Sequence, residues 1–203
     1  MSKLWECLEA LGEVGAAAAE WEQWTGGDFE MFKGAFLQKA NRVAGSYPCP
    51  RCGDSHKVHP VGDGSYVGLF RGEEDVGCDD FDLTAEQVAV WELNRAGLCR
   101  ALARALGCDA RGEPYAVAGI WEVGTIRARG VVVLLCLLNA RDEFRGSVAE
   151  LSGRVRGRYL LIAPTTGFMD LGCRELLANV GAEFVDMETH IVLTDGGDLE
   201  ASA

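Results

Sequence analysis

The chain has 203 residues, of which 48% are hydrophobic and 25% are charged, and its formal net charge is −12 at pH 7. This composition is that of a folded protein of one or two domains, and it excludes a disordered, collagenous or coiled-coil chain. The negative charge repels phosphate groups, so a nucleic-acid role would need a locally basic surface.

The negative charge is unevenly distributed along the chain. Residues 84–112 carry a net charge of +1 and residues 113–158 carry +2, whereas residues 49–83 carry −5 and residues 159–203 carry −7. A mildly basic middle therefore lies between acidic ends. If the chain contacts nucleic acid, residues 84–158 are the part expected to do so.

The N-terminal part predicts two helices, and the middle of the chain predicts a third. The first is expected over 2–24 and the second from Asp28, a natural N-cap after two glycines. The third is expected over about 85–106, because Thr84 to Gln87 form a capping box and Gly107 stands where a C-terminal cap belongs. The apolar stripes of the second and third helices are Phe29, Phe32, Phe36 and Ala40, and Val88, Trp91, Leu98, Leu102 and Ala105.

From Tyr115 onward, the pattern changes to strands that alternate with helices. The apolar run from Val131 to Leu138 predicts a central strand that is buried on both faces. Strand, helix, strand, helix and strand in that order predict a small parallel or mixed sheet covered by helices. The other elements expected here are strands over 115–126, 159–163, 183–187 and 190–193, and helices from Asn139 and over 168–180.

The strongest motif is Cys49-Pro50-Arg51-Cys52-Gly53. Its spacing lets both thiolates face one metal ion, and the glycine permits the tight turn below them. A β-hairpin is predicted next, with strands over 57–61 and 65–70, and Cys78 follows it. The segment resembles a zinc ribbon, in which a hairpin joins two cysteine pairs. The resemblance implies a structural Zn²⁺ ion.

A zinc ribbon uses four cysteines, but Asp75 stands where the first cysteine of the second pair is expected. The pattern therefore leaves the fourth metal ligand unassigned. The candidates are His56, His59 and Asp75. Histidine is favoured, since carboxylates are rarer in structural zinc sites. We prefer His56 because it lies four residues after Cys52, before the hairpin carries the chain away. His59 points to the opposite side of an alternating strand from Val58 and Pro60 and is expected to be exposed. The predicted ligands are therefore Cys49, Cys52, His56 and Cys78.

Two other uses of these cysteines stay open. The site could have lost its metal and hold free thiols, or Cys49 and Cys52 could form a redox pair of the thioredoxin type. A redox pair belongs at a helix N-terminus after a strand, whereas Cys52 leads into a hairpin. The other five cysteines lie in or beside apolar patterns and are expected to be buried.

Residues 47–107, which include Asp79-Asp80-Phe81-Asp82-Leu83-Thr84, are similar to segments of uncharacterised bacterial proteins. The similarity implies a bacterial, intracellular protein and assigns no catalytic residue. A cytoplasmic location is also expected because eight cysteines are too few for a disulfide scaffold, and Glu9 and Glu13 interrupt any signal sequence. The longest apolar run is too short to span a membrane, so no membrane partner is expected.

We predict an α+β fold, in which N-terminal helices and a zinc-ribbon β-hairpin are followed by a small α/β sheet domain. The expected division is a helical segment over 1–48, a zinc-ribbon-like hairpin over 49–83, a connecting helix over 84–112 and an α/β domain over 113–203.

The sequence favours a binding function over an enzymatic one, since it carries no nucleophile elbow, Walker loop or H-E-x-x-H motif. We predict a non-enzymatic, zinc-binding regulatory or protein-interaction module with a protein partner. One alternative is a nucleic-acid-binding regulator that uses the basic region 84–158. Another is a degenerate nuclease-like α/β fold without catalytic residues. The α/β order after Tyr115 resembles the core of PD-(D/E)xK nucleases, but residues 113–158 lack the lysine that those enzymes need. The arginines expected to contact nucleic acid are Arg100, Arg104, Arg141, Arg145 and Arg156.

Overall fold

The computed structural model describes residues 3–11, 15–70 and 78–202, and the fold is α+β. The helices are α1 (Leu4–Leu11), α2 (Ala18–Thr25), α3 (Phe29–Phe36), α4 (Arg95–Ala105), α5 (Arg141–Arg154), α6 (Leu171–Asn179) and α7 (Met187–His190). The strands are β1 (Ala16–Ala17), β2 (Leu37–Val43), β3 (Ser46–Pro48), β4 (Ser55–Gly62), β5 (Ser65–Leu69), β6 (Phe81–Thr84), β7 (Ala89–Leu93), β8 (Asp109–Pro114), β9 (Ile120–Ile126), β10 (Val131–Cys136), β11 (Tyr159–Ala163), β12 (Glu183–Asp186), β13 (Ile191–Leu193) and β14 (Leu199–Ala201).

The largest sheet has the strand order β12-β11-β10-β9-β8. Strand β10 lies at its centre, parallel to β11 and antiparallel to β9, and β11 is parallel to β12. The prediction of a mixed sheet around the apolar run that starts at Val131 is therefore confirmed. The run forms the central strand because its side chains are apolar in both alternating sets, so both faces can be covered.

The two faces of this sheet are covered by different helices. Val133 and Leu135 point to a core that also contains α4 and the N-terminal helices. Leu134 and Cys136 point to the opposite core, which is formed with α5 and α6. The alternation along one strand therefore separates α4 from α5 by the thickness of the sheet.

The N-terminal helices pack on the central sheet and on a small sheet of order β1-β7-β2. The Trp21 indole donates a hydrogen bond to the Trp91 carbonyl of β7, at 3.0 Å. On the other side, the Thr165 hydroxyl, which follows β11, donates to the Glu9 carboxylate of α1 at 2.7 Å. These two hydrogen bonds attach α2 to the small sheet and α1 to the loop after β11 of the central sheet.

A third sheet, of order β3-β4-β5-β6, is inserted between β2 and β7. We call residues 45–87 the ribbon. The chain enters and leaves the ribbon at neighbouring points of the small sheet. Val43 lies opposite Ala89, and the Ala44 N–H donates to the Val88 carbonyl at 2.8 Å. The predicted hairpin is confirmed as β4 and β5, which are antiparallel.

The predicted helix over 85–106 is wrong in its first half. Thr84 and Gln87 do form the reciprocal hydrogen bonds of a capping box, but these bonds close a turn. Val88 lies in that turn and Trp91 lies in β7, so neither belongs to a helical stripe. Helix α4 begins later, where the Asn94 side chain accepts from the Gly97 N–H. Pairing of β7 with strands on both sides outweighs the local helix signal.

Other boundaries also differ from the predictions. The expected helix over 2–24 is divided into α1 and α2, and the helix after Asp28 ends at Phe36, so Ala40 lies in β2. The expected strand over 115–126 is shorter, because Tyr115 falls in a loop between β8 and β9. The N-cap position of α5 is occupied by Ala140, not Asn139, and has no side-chain hydrogen bond. Among the described residues, no helix is long and apolar enough to cross a membrane.

Gly124 is required where β8 and β9 meet, because a Cβ atom there would overlap the carbonyl oxygen of Asp109. We expect Gly124→Ala to lower the free energy of unfolding by about 2–3 kcal/mol. Gly146 is the matched control, since it lies inside α5 with open space around it, and Gly146→Ala should be neutral or stabilise by about 0.5–1 kcal/mol. Urea unfolding of both variants checks this, and equal stabilities would contradict it.

Candidate metal centre

Cys49, Cys52, His56 and Cys78 lie together at one end of the ribbon. One candidate ligand atom from each residue lies within 4.8 Å of all the others, and the group could hold a metal ion. The donors come from three separate parts of the chain, namely the turn after β3, the start of β4 and the segment before β6.

The first two thiols are positioned by a tight turn. The Cys49 N–H donates to the Asp54 carbonyl at 2.8 Å, and the Gly53 N–H donates to the Cys49 carbonyl at 2.9 Å. Gly53 has a φ of 78°, which favours glycine. The Arg51 N–H points at Cys49 Sγ, 3.4 Å away. The turn therefore aims its sulfur atoms at one point, as the spacing of the two cysteines predicts.

His56 is completely buried, and its ring is held in one orientation. Nδ1 lies 3.3 Å from the Gly68 carbonyl. A carbonyl can only accept, so Nδ1 carries a proton, and in the neutral ring this leaves the Nε2 lone pair free. Nε2 faces the Cys52 sulfur at 3.7 Å. A buried imidazole nitrogen with its lone pair aimed at thiols is the state that metal binding requires.

Two aromatic rings hold the imidazole in place. The ring centroids of Phe70 and Phe81 lie 5.1 Å and 5.0 Å from that of His56. Gly68 makes room for one of them, because a Cβ atom at this position would lie 2.8 Å from the Phe81 ring. None of these three residues belongs to the site that the sequence predicts. Aromatic and small residues on hairpin strands are as typical of an ordinary small core as of a metal site, so the sequence held no specific signal for them.

Cys78 is brought to the cluster by polar contacts of the residues that follow it. Its sulfur lies 3.4 Å from Cys49 Sγ. The Arg51 guanidinium contacts both the carboxylate and the carbonyl oxygen of Asp79, each at 3.0 Å. The Phe70 N–H donates to the Asp80 carboxylate at 3.2 Å. The hydrogen bond to Asp79 raises the pKa of the Arg51 guanidinium, and negative charge on the nearby sulfurs adds to this shift.

The thiols share protons in the absence of a cation. Burial raises the pKa of Cys49, but hydrogen bonds from neighbouring backbone N–H groups and from the Cys78 thiol outweigh it and lower that pKa to about 6. Donating this hydrogen bond raises the pKa of Cys78 to about 12. One thiolate therefore forms readily and suppresses ionisation of its neighbour. A bound cation would allow all three sulfurs to ionise.

The sequence offers two alternative ligands, His59 and Asp75. His59 is on β4 but outside the cluster, and its Nε2 is buried without a hydrogen-bond partner among the described residues. Asp75 lies outside the described residues. Four of the other five cysteines are buried, while Cys108 is half-buried. Burial raises the pKa of all five thiols, which keeps them protonated.

The arginines expected to contact nucleic acid are not brought together. Arg100 and Arg104 lie on α4, whereas Arg141 and Arg145 lie on α5 and Arg156 follows it, so the two groups are on opposite faces of the central sheet. Three of these side chains contact oxygen atoms of the chain itself, namely Arg104 with Asp198, Arg145 with Asp170, and Arg141 with the Gly167 carbonyl.

No protein family, curated protein or solved structure matches the chain. The ligand cluster and the hairpin are compatible with the resemblance to a zinc ribbon. The geometry of the cluster is the basis for assigning a function.

The thiol chemistry predicts a pH dependence in the metal-free protein. Because the pKa of Cys49 falls from its ordinary value of about 9 to about 6 on folding, its thiolate stabilises the folded state. This stabilisation is complete above about pH 9 and is lost as the pH falls through about 6. We expect thiolate ultraviolet absorbance to rise with a midpoint near pH 6 in the wild type and in Cys108→Ser, and this rise to be absent in Cys49→Ser. A midpoint that does not depend on Cys49 would contradict the assignment.

Proposed function

We propose that this protein is a non-enzymatic zinc-binding module, in which Cys49, Cys52, His56 and Cys78 hold one structural Zn²⁺ ion. The observation that carries this proposal is the convergence of three sulfur atoms and one imidazole nitrogen within 4.8 Å. The orientation of the buried His56 ring supports it, because its free Nε2 lone pair faces the sulfurs. The other elements of a zinc ribbon, a cysteine turn and a following hairpin, are also present.

The donor set favours zinc over other common metal ions. Calcium and magnesium take oxygen ligands, whereas thiolates and imidazole select zinc, copper and iron. Zinc prefers four ligands in a tetrahedron, and Cys3His is one of its structural sites. Four protein donors complete that tetrahedron, and catalytic zinc sites instead keep one position for water or substrate. The ion would therefore stabilise the ribbon and perform no reaction.

The redox alternative has less support. Thioredoxin-type cysteine pairs stand at a helix N-terminus, where the helix dipole stabilises the thiolate. Here Cys52 is followed by strand β4, and its neighbour sulfur contacts a third thiol, that of Cys78. The free thiols agree with a reducing compartment, and we propose a cytoplasmic location on that basis.

A regulatory or protein-interaction role is the function that such a stabilised hairpin would serve. Val61, near the tip of the β4-β5 hairpin, is 63% exposed. A rigid hairpin that presents an exposed apolar side chain loses little entropy when a protein partner covers it. The nucleic-acid alternative has weaker support, because the candidate arginines lie on opposite sides of the sheet. For the degenerate nuclease alternative, nothing in the described residues adds support.

Metal analysis of protein purified without a metal-binding tag tests the zinc site. We expect about one zinc ion per chain in the wild type and in His59→Ala, and a large loss in His56→Ala. Chelation of the metal should increase amide hydrogen exchange in residues 45–70 and 78–87 of the ribbon more than in the central sheet. Zinc well below one ion per wild-type chain would overturn the proposal, and retention in His56→Ala would overturn the ligand assignment.

The interaction role is tested at the hairpin tip. Val61→Asp lies away from the ligand cluster, so the variant should retain zinc. We expect a partner captured by the wild type to be lost from Val61→Asp and from zinc-depleted protein, but not from Val192→Asp, whose side chain is similarly exposed on β13. Equal capture by the two aspartate variants would contradict a role for the tip.

A further inference from the structure

We infer that Arg51 is a positioning residue that sets how long the centre retains its metal ion, because its guanidinium ties the Cys78 segment to the Cys49–Cys52 turn. This inference rests on the proposed zinc site and concerns the control of metal release from it.

The contact between Arg51 and Asp79 joins the two halves of the cluster. Arg51 lies between the first two ligands, and Asp79 immediately follows the last one. One guanidinium nitrogen contacts the Asp79 carboxylate and the other contacts the Asp79 backbone carbonyl, both at 3.0 Å. The second contact holds the main chain itself next to Cys78. Two donors in a fixed fork restrain position more strictly than a single charge pair does.

Few other contacts of the described residues restrain the Cys78 segment. The next one is the hydrogen bond from the Phe70 N–H to Asp80, and strand pairing starts only with Phe81 opposite Gly68. By contrast, the turn before β4 is closed by its own backbone hydrogen bonds, and His56 is buried within a strand. Cys52 is more exposed than Cys78, but it lies inside this closed turn, whereas Cys78 lies outside it. The Cys78 sulfur is therefore the ligand most easily detached, and Arg51 restrains it.

Charge supports the same role. Three thiolates and one neutral imidazole around a dication leave a net charge of about −1. The Arg51 guanidinium is a cation close to these sulfurs, since it bridges the two segments that carry them. Its charge stabilises the ligated state, in which all three sulfurs are ionised, more than it stabilises a state with a protonated Cys78. An isolated exposed ion pair contributes little, but this pair acts on a ligand.

The rate of zinc transfer to a chromogenic chelator tests this inference. We expect Arg51→Ala to release zinc roughly 10-fold faster than the wild type, in the range found for residues that support metal ligands. Arg51→Lys keeps the charge but loses the fork, and its rate should lie between the two. Asp79→Asn should have a smaller effect than Arg51→Ala, because the carbonyl contact is retained. Arg104→Ala is the matched control, since it removes another exposed arginine–aspartate pair, with Asp198, and should leave the rate unchanged.

A spectroscopic readout separates positioning from loss of structure. The cobalt(II)-substituted Arg51→Ala protein should keep the absorption bands of a tetrahedral site with sulfur ligands, while its metal exchanges faster. Unchanged release in Arg51→Ala, from a wild type that holds zinc, would overturn this inference alone. A wild type that holds no zinc would overturn the proposed function and this inference with it.

Discussion

Strand β7 is hydrogen-bonded on both sides, to β1 and to β2, and it connects the ribbon to helix α4. Just before it, Val88 is completely buried against the ribbon side chains Val58 and Leu83. Just after it, Asn94 caps α4, which packs on the central sheet. Together with β2, this strand therefore fixes the position of the candidate metal cluster relative to the central sheet. The pairing of β7 also explains why residues 89–93 form a strand, although the capping box of Thr84 and Gln87 just before them is a helix signal.

The cluster is assembled by three different kinds of force. A hydrogen-bonded turn positions Cys49 and Cys52, strand pairing and aromatic packing position His56, and an arginine contact positions the segment of Cys78. The turn and the strand are stable local structures, so the first three donors are preorganised. A preorganised partial site lowers the entropy cost of binding, while the third element gives the site a part that can open. The affinity for a metal ion would then depend on the preorganised turn and strand, and the rate of metal release would depend on the segment of Cys78.

The sequence was informative where the chemistry is local and uninformative where it depends on contacts between distant residues. The spacing of Cys49 and Cys52, and the alternation that separates His56 from His59, both follow from backbone geometry. The contact of Arg51 with Asp79 depends on how the hairpin folds back, which no local pattern encodes. The Thr84 to Gln87 hydrogen bonds form in a turn as well as in a helix, so only β7 pairing decided between them. Arginine content likewise cannot show which sheet face each side chain occupies.

The neighbouring entry and exit points of the ribbon have a thermodynamic consequence. The hydrogen bond between Ala44 and Val88 closes the loop over 45–87 independently of the metal site. Folding of the surrounding sheet therefore meets the entropy cost of loop closure, and a bound ion would only have to order the segment between the two ends. The same segment excised as a peptide would bear that cost when it binds, and its metal affinity would be lower. Conversely, loss of a bound ion would loosen the ribbon, while its two ends would stay anchored in the small sheet.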